Sequence, residues 1–343
     1  MMASNSYQPP YNLTPAMFRM VEEIGKALGQ LQAESYSVEP HLRRGNRIRT
    51  IQASCAIEGN TLSIEQITAL LGGKRVLGTP HEIREVRNAF AAYERMVEWS
   101  PHSREDLLAA HGVLMAGLVD RPGHFRSGNV GIQRGEQIVH VAPPADRVPA
   151  LISDLLAWLK VTPEHPLIAS CVFHYEFEFI HPFQDGNGRM GRLWQTLILS
   201  RWNPLFAAVS VETLTGEHQA DYYAALNASN KAVACTPFIE FMLAMIRDAL
   251  QELIATEQVR EQLTEQVTRL LSVMGRTPLS AREIMSKLGL THRPNFLYSY
   301  LQPALADGLI EMTRPDAPRA RNQKYRLTPT GRRLADKENI GHS

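Results

Sequence analysis

Residues 181–192 read HPFQDGNGRMGR and are the most informative stretch of the chain. They follow an apolar run, residues 167–180, and lead into a second run that contains Leu193, Trp194 and Leu197. Both runs have the length and spacing of helices, so the stretch is predicted to be a loop that ends at a helix N-terminus. The first turn of a helix offers unpaired backbone N–H groups and the positive end of the helix dipole. The stretch therefore predicts an anion-binding loop.

The residue types in this loop suit a polyphosphate. Gly186 and Gly188 allow the backbone to approach a phosphate closely, and Asn187 adds a side-chain donor. Arg189 and Arg192 are three residues apart, so both guanidinium groups lie on one helix face and can point at the same ligand. The loop is therefore a candidate nucleotide site.

Two further side chains in the loop carry chemistry. Asp185 offers one carboxylate, and a Mg²⁺ ion bound to a nucleotide usually takes only one or two carboxylates from the protein. His181 has an imidazole that, when neutral, can accept a proton from an incoming hydroxyl group. Taken singly, each of these residues is more often structural, but their combination within twelve residues favours an active site.

At every specified position, this stretch resembles the Fic motif HPFx(D/E)GNGRxGR. The resemblance implies a protein adenylyltransferase, in which His181 activates a Ser, Thr or Tyr hydroxyl of a target protein for attack on the α-phosphate of ATP. It implies that Asp185 holds Mg²⁺ and that Arg192 binds the γ-phosphate. The ATP-binding residues that it implies are Gly186, Asn187, Gly188, Arg189, Gly191 and Arg192.

Two other segments are similar to parts of the same family. Residues 129–144, NVGIQRGEQIVHVAPP, form a predicted β-hairpin and resemble the flap that docks a target segment as an added strand, with Ile138, Val139 and His140 in that role. Residues 221–230, DYYAALNASN, resemble the nucleoside-binding helix, which would bring Tyr223 and Asn230 near adenine. A surface hairpin and a helix packed in the core are the plainer interpretations of these two segments.

SCAIEGN, residues 54–60, fits the family's inhibitory pattern (S/T)xxxE(G/N), beginning at Ser54. The resemblance implies that Glu58 pairs with Arg192, so that this arginine cannot hold the γ-phosphate. A bidentate pair in a partly dry site is strong enough for this role. The same carboxylate could orient a water that removes AMP from a modified target, which would make the protein a de-AMPylase as well.

Composition limits the class of protein. The 343 residues are 44% hydrophobic and 21% charged, with a net charge of +1, as in ordinary soluble globular proteins. Three widely spaced cysteines are typical of reduced, buried thiols. The first residues lack the blocks of a signal peptide, and no run reaches the length of a membrane span, so we expect a cytoplasmic protein.

The C-terminal part is basic. Residues 276–333 contain eleven Lys or Arg and four Asp or Glu, a net charge of +7. Their pattern, helix, turn, helix and two short strands, resembles a winged helix-turn-helix. This predicts either a DNA-binding regulator, with Arg319, Arg321 and Lys324 on phosphates, or a module that docks proteins. Pro294 and Pro303 predict an irregular second helix.

The same residues also suit other activities. Family relatives that phosphorylate have altered glycines in this loop, so the resemblance with both glycines intact implies AMP transfer, while transfer of UMP or GMP stays open. A metal hydrolase would use His174, Glu178 and His181 at i, i+4 and i+7, but HExxH and paired CxxC patterns are absent from the sequence. Self-modification and a homodimer also remain open, and no membrane partner is expected.

The predicted fold is mainly α, a Fic helical core with a β-hairpin flap and a C-terminal winged helix-turn-helix domain. We expect an N-terminal helical region with the inhibitory motif at residues 1–102, the catalytic core at residues 103–255 and the winged helix at residues 256–343. The partners expected are ATP with Mg²⁺ and an unknown target protein.

Overall fold

The computed structural model of the protein describes residues 7–33, 40–134, 137–275, 277–318, 320, 322–329, 331–332 and 335. The chain divides into two compact units, Met1–Glu252 and Leu253–Ser343. The three-part division predicted from the sequence remains a prediction.

Helices build nearly all of the first unit, as predicted. The helices are α1 (Pro15–Ala33), α2 (Pro40–Ile57), α3 (Ile64–Leu71), α4 (Pro80–Arg95), α5 (Arg104–Leu114), α6 (Val148–Val161), α7 (Pro166–Ile180), α8 (Asn187–Trp202), α9 (Val211–Glu217), α10 (Gln219–Ala232) and the first part of α11 (Thr236–Val273), which continues into the second unit from Leu253. The short helix α9 was not predicted, and short 3₁₀ turns follow α4 and α8.

Local sequence explains where several helices begin. Pro15 is the first residue of α1, a position where its missing N–H is not needed. Ser63 and Gln66 form a reciprocal capping box at the start of α3, and Thr79 and Glu82 do the same at α4. These contacts satisfy backbone N–H groups that have no partner within the helix.

The core lies around α7 and α8, which pack against each other as neighbours in sequence. Twelve of the fifteen residues of α7 are buried. A helix that is apolar around its whole circumference must be enclosed by protein, and α7 has this character. The fully buried aromatic side chains of this region include Phe173, Phe177, Phe183 and Trp194. The loop of residues 181–186 is therefore held between two buried helices.

The predicted hairpin is present in the first unit. Strands β1 (Gly131–Arg134) and β2 (Gln137–Val141) pair in antiparallel fashion, with Gly131 opposite Val141 and a register shift between Ile132 and Gln133. The turn residues 135–136, and the side chains of residues 132–140, lie outside the described part of the chain.

Cys55, Cys171 and Cys235 are free and buried, as the sequence predicts. Burial raises the pKa of each thiol, so none of the three is an activated nucleophile. Within the described ranges, we find no helix with both the length and the apolar character that crossing a bilayer requires.

The second unit has a small sheet and short helices. Its elements are β3 (Leu279–Ser280), α12 (Ala281–Leu288), α13 (Arg293–Phe296), α14 (Gln302–Ala306), β4 (Ile310–Met312) and β5 (Lys324–Leu327). The strand order is β3-β5-β4, all antiparallel. This is the succession predicted for residues 276–333, with β3 as an addition. Its core includes Ile284, Phe296, Leu301 and Ile310.

The second helix of this unit is irregular, as its prolines predict. A π-helical segment, Leu297–Leu301, separates α13 from α14. Pro303 has no N–H to offer to the carbonyl four residues earlier, so the regular ladder is interrupted there. Lys324 begins β5, whereas Arg319 and Arg321 lie outside the described residues. DNA binding by residues 276–333 remains a prediction.

Candidate active site

His181 ends α7 in a left-handed conformation, with φ 50° and ψ 60°. Its N–H donates to the carbonyl of Phe177 at 2.9 Å, which closes the helix. A side chain with a Cβ is disfavoured in this conformation by about 1 kcal/mol or more, so the surrounding structure must hold it there. The backbone thus turns sharply at the residue that the sequence predicts as the base.

Arg126 fixes this turn and was not predicted. Its backbone N–H donates to the carbonyl of Pro182 at 3.0 Å, and its Nε donates to the carbonyl of His181 at 2.8 Å. One terminal nitrogen, Nη2, lies 3.3 Å from the carbonyl of Ile180. One residue therefore binds three consecutive carbonyls of the turn.

Asn187 closes the loop from the other side. Its Oδ1 accepts from the N–H of Phe183 at 2.9 Å, and its Nδ2 donates to the carbonyl of Phe183 at 2.9 Å. This side chain was predicted to contact the anion, but both of its polar atoms bind the backbone of the loop. Its backbone N–H remains part of the first turn of α8, where no intrahelical acceptor exists.

Arg189 lies in a buried ion pair. Its Nη1 is 2.5 Å from Oε1 of Glu85, and its Nη2 is 3.1 Å from Oδ1 of Asp185. The side chains of Arg189 and Glu85 are 5% and 6% exposed. The structure therefore does not bring the Arg189 and Arg192 guanidinium groups to one ligand, since Arg189 is engaged with Glu85 on α4.

Arg192 contacts Ser54 and Glu58 of the SCAIEGN segment, the pairing that the resemblance implies. Its Nη2 is 2.7 Å from Oε1 of Glu58 and 3.0 Å from the carbonyl of Ser54, and its Nε donates to Oγ of Ser54 at 3.0 Å. Burial is the largest single influence and would lower the pKa of the guanidinium, but the charge of and hydrogen bond to Glu58, together with the charges of Tyr222 and Glu178, outweigh it and the pKa is raised. Both named residues of the motif thus contact this one arginine.

Two glycines of the loop are approached closely by neighbouring side chains. A Cβ at Gly188 would lie 2.4 Å from Oε1 of Glu58, and one at Gly186, which has φ 84°, would lie 2.6 Å from Sδ of Met115. A Cβ at either position would force that neighbouring side chain to shift. The carboxylate of Glu58 therefore sits directly over the first turn of α8.

Gly191 packs against α7, so its Cα does not point into the loop of residues 181–186. A Cβ there would lie 2.8 Å from Cδ2 of His174 and 3.2 Å from Oε1 of Glu178. The structure thus gives this predicted ATP-binding residue a packing contact.

His111 supports the loop and was also not predicted. Its ring stacks on Phe183 with centroids 3.6 Å apart, and Gly123 N–H donates to its Nδ1 at 2.9 Å. Its Nε2 therefore carries the proton and donates to the carbonyl of Asp185 at 3.0 Å. Burial lowers the pKa of His111 to about 4, so the ring is neutral near pH 7.

A cluster of buried polar side chains lies near Arg192. His174 Nδ1 contacts Oε1 of Gln195 at 2.7 Å, and its Nε2 is 3.2 Å from the hydroxyl of Tyr222. Burial lowers the pKa of His174 to about 3 and raises that of Glu178 to about 7. Because His181 adopts the left-handed conformation, it does not lie on the helical face that carries His174 and Glu178. These three side chains therefore do not form the set that a metal hydrolase would use.

Tyr223 and Asn230, the predicted adenine contacts, lie on α10. Tyr223 is partly buried, and burial together with the nearby charge of Glu58 raises its pKa. Asn230 Oδ1 accepts a hydrogen bond from the hydroxyl of Tyr175 at 2.9 Å. The structure brings Tyr223 near Glu58, whereas Asn230 is engaged with α7. Ile138, Val139 and His140 occupy β2, but their side chains lie outside the described set.

The donor set fits a Mg²⁺ ion carried by a nucleotide. In the described part of the chain, no three His, Cys, Asp or Glu side chains group into a metal site. Asp185 is a suitable single ligand: its side chain is 54% exposed, and its Oδ1 accepts from the N–H of Gly186 at 2.6 Å and from Arg189. A single oriented carboxylate is what a phosphate-bound Mg²⁺ requires of a protein.

Two regions of the chain match known families. Residues 101–199 match the Fic/DOC family, and residues 265–328 match the family described as "Filamentation induced by cAMP protein Fic-like, C-terminal domain". The first match contains the loop and the hairpin.

Curated relatives are similar to this chain over about two thirds of its length. The chain is 28% identical over 246 residues to "Protein adenylyltransferase Fic" of Culex quinquefasciatus, which covers 67% of this chain and 46% of the relative. It is 28% identical over 252 residues to "Protein adenylyltransferase fic-1" of Caenorhabditis elegans, covering 69% and 47%. The chain thus spans about half the length of the curated relatives that it matches.

A solved structure agrees over nearly the whole length. The crystal structure of a Fic family protein from Desulfovibrio desulfuricans G20 is 57% identical, covers 94% of this chain and 99% of its own, and superimposes with a TM-score of 0.73. With this identity over both chains, and with the HPFQDGNGRMGR loop in place, the chain belongs to the Fic family.

Proposed function

We propose that the protein transfers AMP from ATP to a Ser, Thr or Tyr hydroxyl of a target protein, and that Glu58 holds this activity off. The relatives from Culex quinquefasciatus and Caenorhabditis elegans are named protein adenylyltransferases. The proposal therefore gives the site residues their roles in AMP transfer.

One observation carries the proposal. The carboxylate of Glu58 lies over Gly188 and within 2.7 Å of Arg192, so an anion already sits at the N-terminus of α8. Backbone N–H groups, the helix dipole and a buried guanidinium all favour negative charge at this point. A nucleotide phosphate satisfies the same groups when the carboxylate leaves.

The reaction assigns His181 one proton transfer. The target hydroxyl oxygen forms a bond to the α-phosphorus, its proton passes to the imidazole, and the bond from the α-phosphorus to the bridging oxygen breaks. Pyrophosphate leaves with that oxygen. The left-handed turn at His181 and the carbonyl contacts of Arg126 hold the base at the loop mouth, where orientation supplies much of the rate.

Asp185 is the residue that would hold Mg²⁺. The ion, when bound with ATP, neutralises phosphate charge and thereby favours departure of pyrophosphate. The chain's own contribution is to orient the Asp185 carboxylate through hydrogen bonds from the N–H of Gly186 and from Arg189.

Inhibition follows from a competition for Arg192. This side chain is 3% exposed, whereas that of Glu58 is 29% exposed. A guanidinium that already holds a carboxylate cannot grip a γ-phosphate with the same nitrogen, and two anions at this distance repel each other. ATP bound beside Glu58 then has its α-phosphate out of line for attack.

The test is self-labelling with α-³²P-ATP, α-³²P-UTP, α-³²P-GTP and α-³²P-CTP in the presence of Mg²⁺. The variants are Glu58→Gln, which keeps the shape and removes the charge, and His181→Ala. Glu94→Gln is the matched control, because Glu94 also pairs with an arginine, Arg47 at 3.1 Å, but is 58% exposed.

We expect Glu58→Gln to raise the initial rate of labelling from ATP by roughly 10-fold to 100-fold, since a charged hydrogen bond contributes about 1.5–3 kcal/mol. Glu94→Gln should match the wild type. His181→Ala, made in the Glu58→Gln background, should lose at least about 100-fold.

Each outcome separates one part of the proposal. Equal rates for wild type and Glu58→Gln would remove the inhibition, and label that persists in His181→Ala would remove the base. Preferred labelling from another nucleotide would change the substrate. Label that disappears with time only when Glu58 is present would add hydrolysis of the AMP–protein bond to the activity.

A further inference from the structure

We infer that Arg126 is a positioning residue that links the backbone turn at His181 to the β-hairpin. One side chain thereby fixes the positions of both the turn and the hairpin. This inference rests on the proposed function for the role of His181 as base, and on the flap resemblance for the docking of a target strand at the hairpin. The connection itself is a matter of hydrogen bonds in the first unit.

On one side, Arg126 grips the turn. Its Nε and Nη2 and its own N–H donate to the carbonyls of His181, Ile180 and Pro182 at 2.8, 3.3 and 3.0 Å. These three carbonyls flank the left-handed residue, and their directions define the path of the backbone through it. By binding all three carbonyls, Arg126 fixes the backbone position from which the imidazole side chain of His181 extends.

On the other side, Arg126 grips both open ends of the hairpin. Its Nη1 donates to the carbonyl of Gly128 at 2.9 Å, three residues before β1, and its Nη2 donates to the carbonyl of Pro143 at 2.6 Å, two residues after β2. The hairpin stem is closed just above this point, because Ala142 N–H donates to the carbonyl of Val130 at 3.2 Å. Movement of either end therefore pulls on the same guanidinium.

Arginine is the side chain that this arrangement requires. Arg126 is 7% exposed, and its acceptors are carbonyl oxygens, so its charge is compensated by several dipoles. A planar guanidinium directs five N–H groups in fixed directions, whereas an ammonium group is a compact donor that reaches fewer acceptors at once. A lysine at this position would retain the charge and lose part of the connection.

The consequence is coupling between docking and chemistry. When a target strand pairs with the hairpin, it fixes the strand ends, and Arg126 passes that restraint to the carbonyl of His181. The base is then best placed when the hairpin is occupied. Arg126 acts through His181 and need not touch the nucleotide.

The experiment uses the full chain and three variants. Arg126→Gln removes the fork, and Arg126→Lys keeps the charge in case the first variant folds poorly. Arg201→Gln is the matched control, since Arg201 Nη2 also donates to two carbonyls, those of Val97 and Trp99, both at 2.7 Å. Hydrogen–deuterium exchange is measured for peptides covering residues 127–147 and residues 177–186.

Arg126→Gln is expected to speed exchange in both peptides, Arg126→Lys to give an intermediate change, and Arg201→Gln to leave both unchanged. Faster exchange in only one peptide, or in neither, would overturn the connection. This readout does not depend on any enzymatic activity, so it decides the inference even if the proposed function fails.

The second readout tests positioning. In the Glu58→Gln background, the single-turnover rate of self-labelling at saturating ATP should fall by about 100-fold in Arg126→Gln, a cost typical of a misplaced catalytic group. The dissociation constant for Mg²⁺ and a non-cleavable ATP analogue should change less than about threefold, since the phosphate groups of the site are untouched. Parallel losses of rate and nucleotide affinity would refute positioning. Absence of all labelling in Glu58→Gln alone would instead count against the proposed function.

Discussion

The buried pair of Arg189 and Glu85 offers a direct test of how the loop is held. Glu85→Ala removes a carboxylate whose Oε1 contacts Arg189 at 2.5 Å and whose Oε2 accepts from Nδ2 of Asn60 at 2.7 Å. Both charged side chains are almost fully enclosed, at 5% and 6% exposure. The variant leaves a guanidinium in the interior with only Asp185 as a carboxylate contact among the described residues.

The size of the effect follows from this burial. Removing one partner of a buried ion pair typically lowers the free energy of unfolding by about 3–5 kcal/mol, because the remaining charge stays desolvated. In a folded unit of this size each kcal/mol moves the midpoint of thermal unfolding by about 2–4 °C, so a fall of roughly 6–20 °C is expected. Glu94→Ala removes a 58% exposed partner of Arg47 and should cost less than about 1 kcal/mol.

Differential scanning calorimetry of the full chain measures these shifts, and urea unfolding gives the free energies. The double variant Glu85→Ala with Arg189→Ala should be less destabilised than the sum of the two single variants, since no lone charge remains. A loss below about 1 kcal/mol in Glu85→Ala, or strict additivity in the double variant, would refute the reasoning that burial makes this pair costly to break.

Two more predictions concern other strained or buried groups. Val233 ends α10 with φ 51° and is 77% exposed, so Val233→Gly should raise the free energy of unfolding by about 1 kcal/mol in urea titrations, while Val233→Ala should gain less. No difference between these variants would argue against strain. Burial lowers the pKa of His174 to about 3 in the folded protein, whereas an unfolded histidine titrates near 6.5. The unfolded chain therefore binds the proton first as pH falls, and stability present above about pH 6.5 is lost towards pH 3. His174→Gln should flatten this decline between pH 7 and pH 5, and parallel curves for the two proteins would contradict it.

The long elements were predictable because their signals are local. The apolar spacing and the proline at position 15 predict α1 from its first residue, and Pro294 and Pro303 predict the irregular helix of the second unit. The shortest elements were not: α9 has seven residues and β3 has two, too few for a period to be recognised.

The candidate site divides in the same way. The loop and Glu58 belong to contiguous patterns that resemble motifs of a known family, so the resemblance predicts them. Arg126 and Glu85 act on residues 55 and 104 positions away, respectively, and only the tertiary fold brings them together. His111 is likewise 74 positions from Asp185. The side chains of Asn187 and Arg189 are polar and suit a phosphate equally well, so their use within the protein could not be read from their type.

The contact between Arg192 and Glu58 joins residues 134 positions apart in one chain. Under the proposed function, the inhibitor is therefore tethered, and its local concentration is set by the fold rather than by the amount of protein in solution. Dilution and dialysis do not remove Glu58 from Arg192, and added ATP must compete with a carboxylate whose local concentration is constant. Activation then requires displacement of Glu58 from Arg192, for example by a partner that binds the segment at the end of α2.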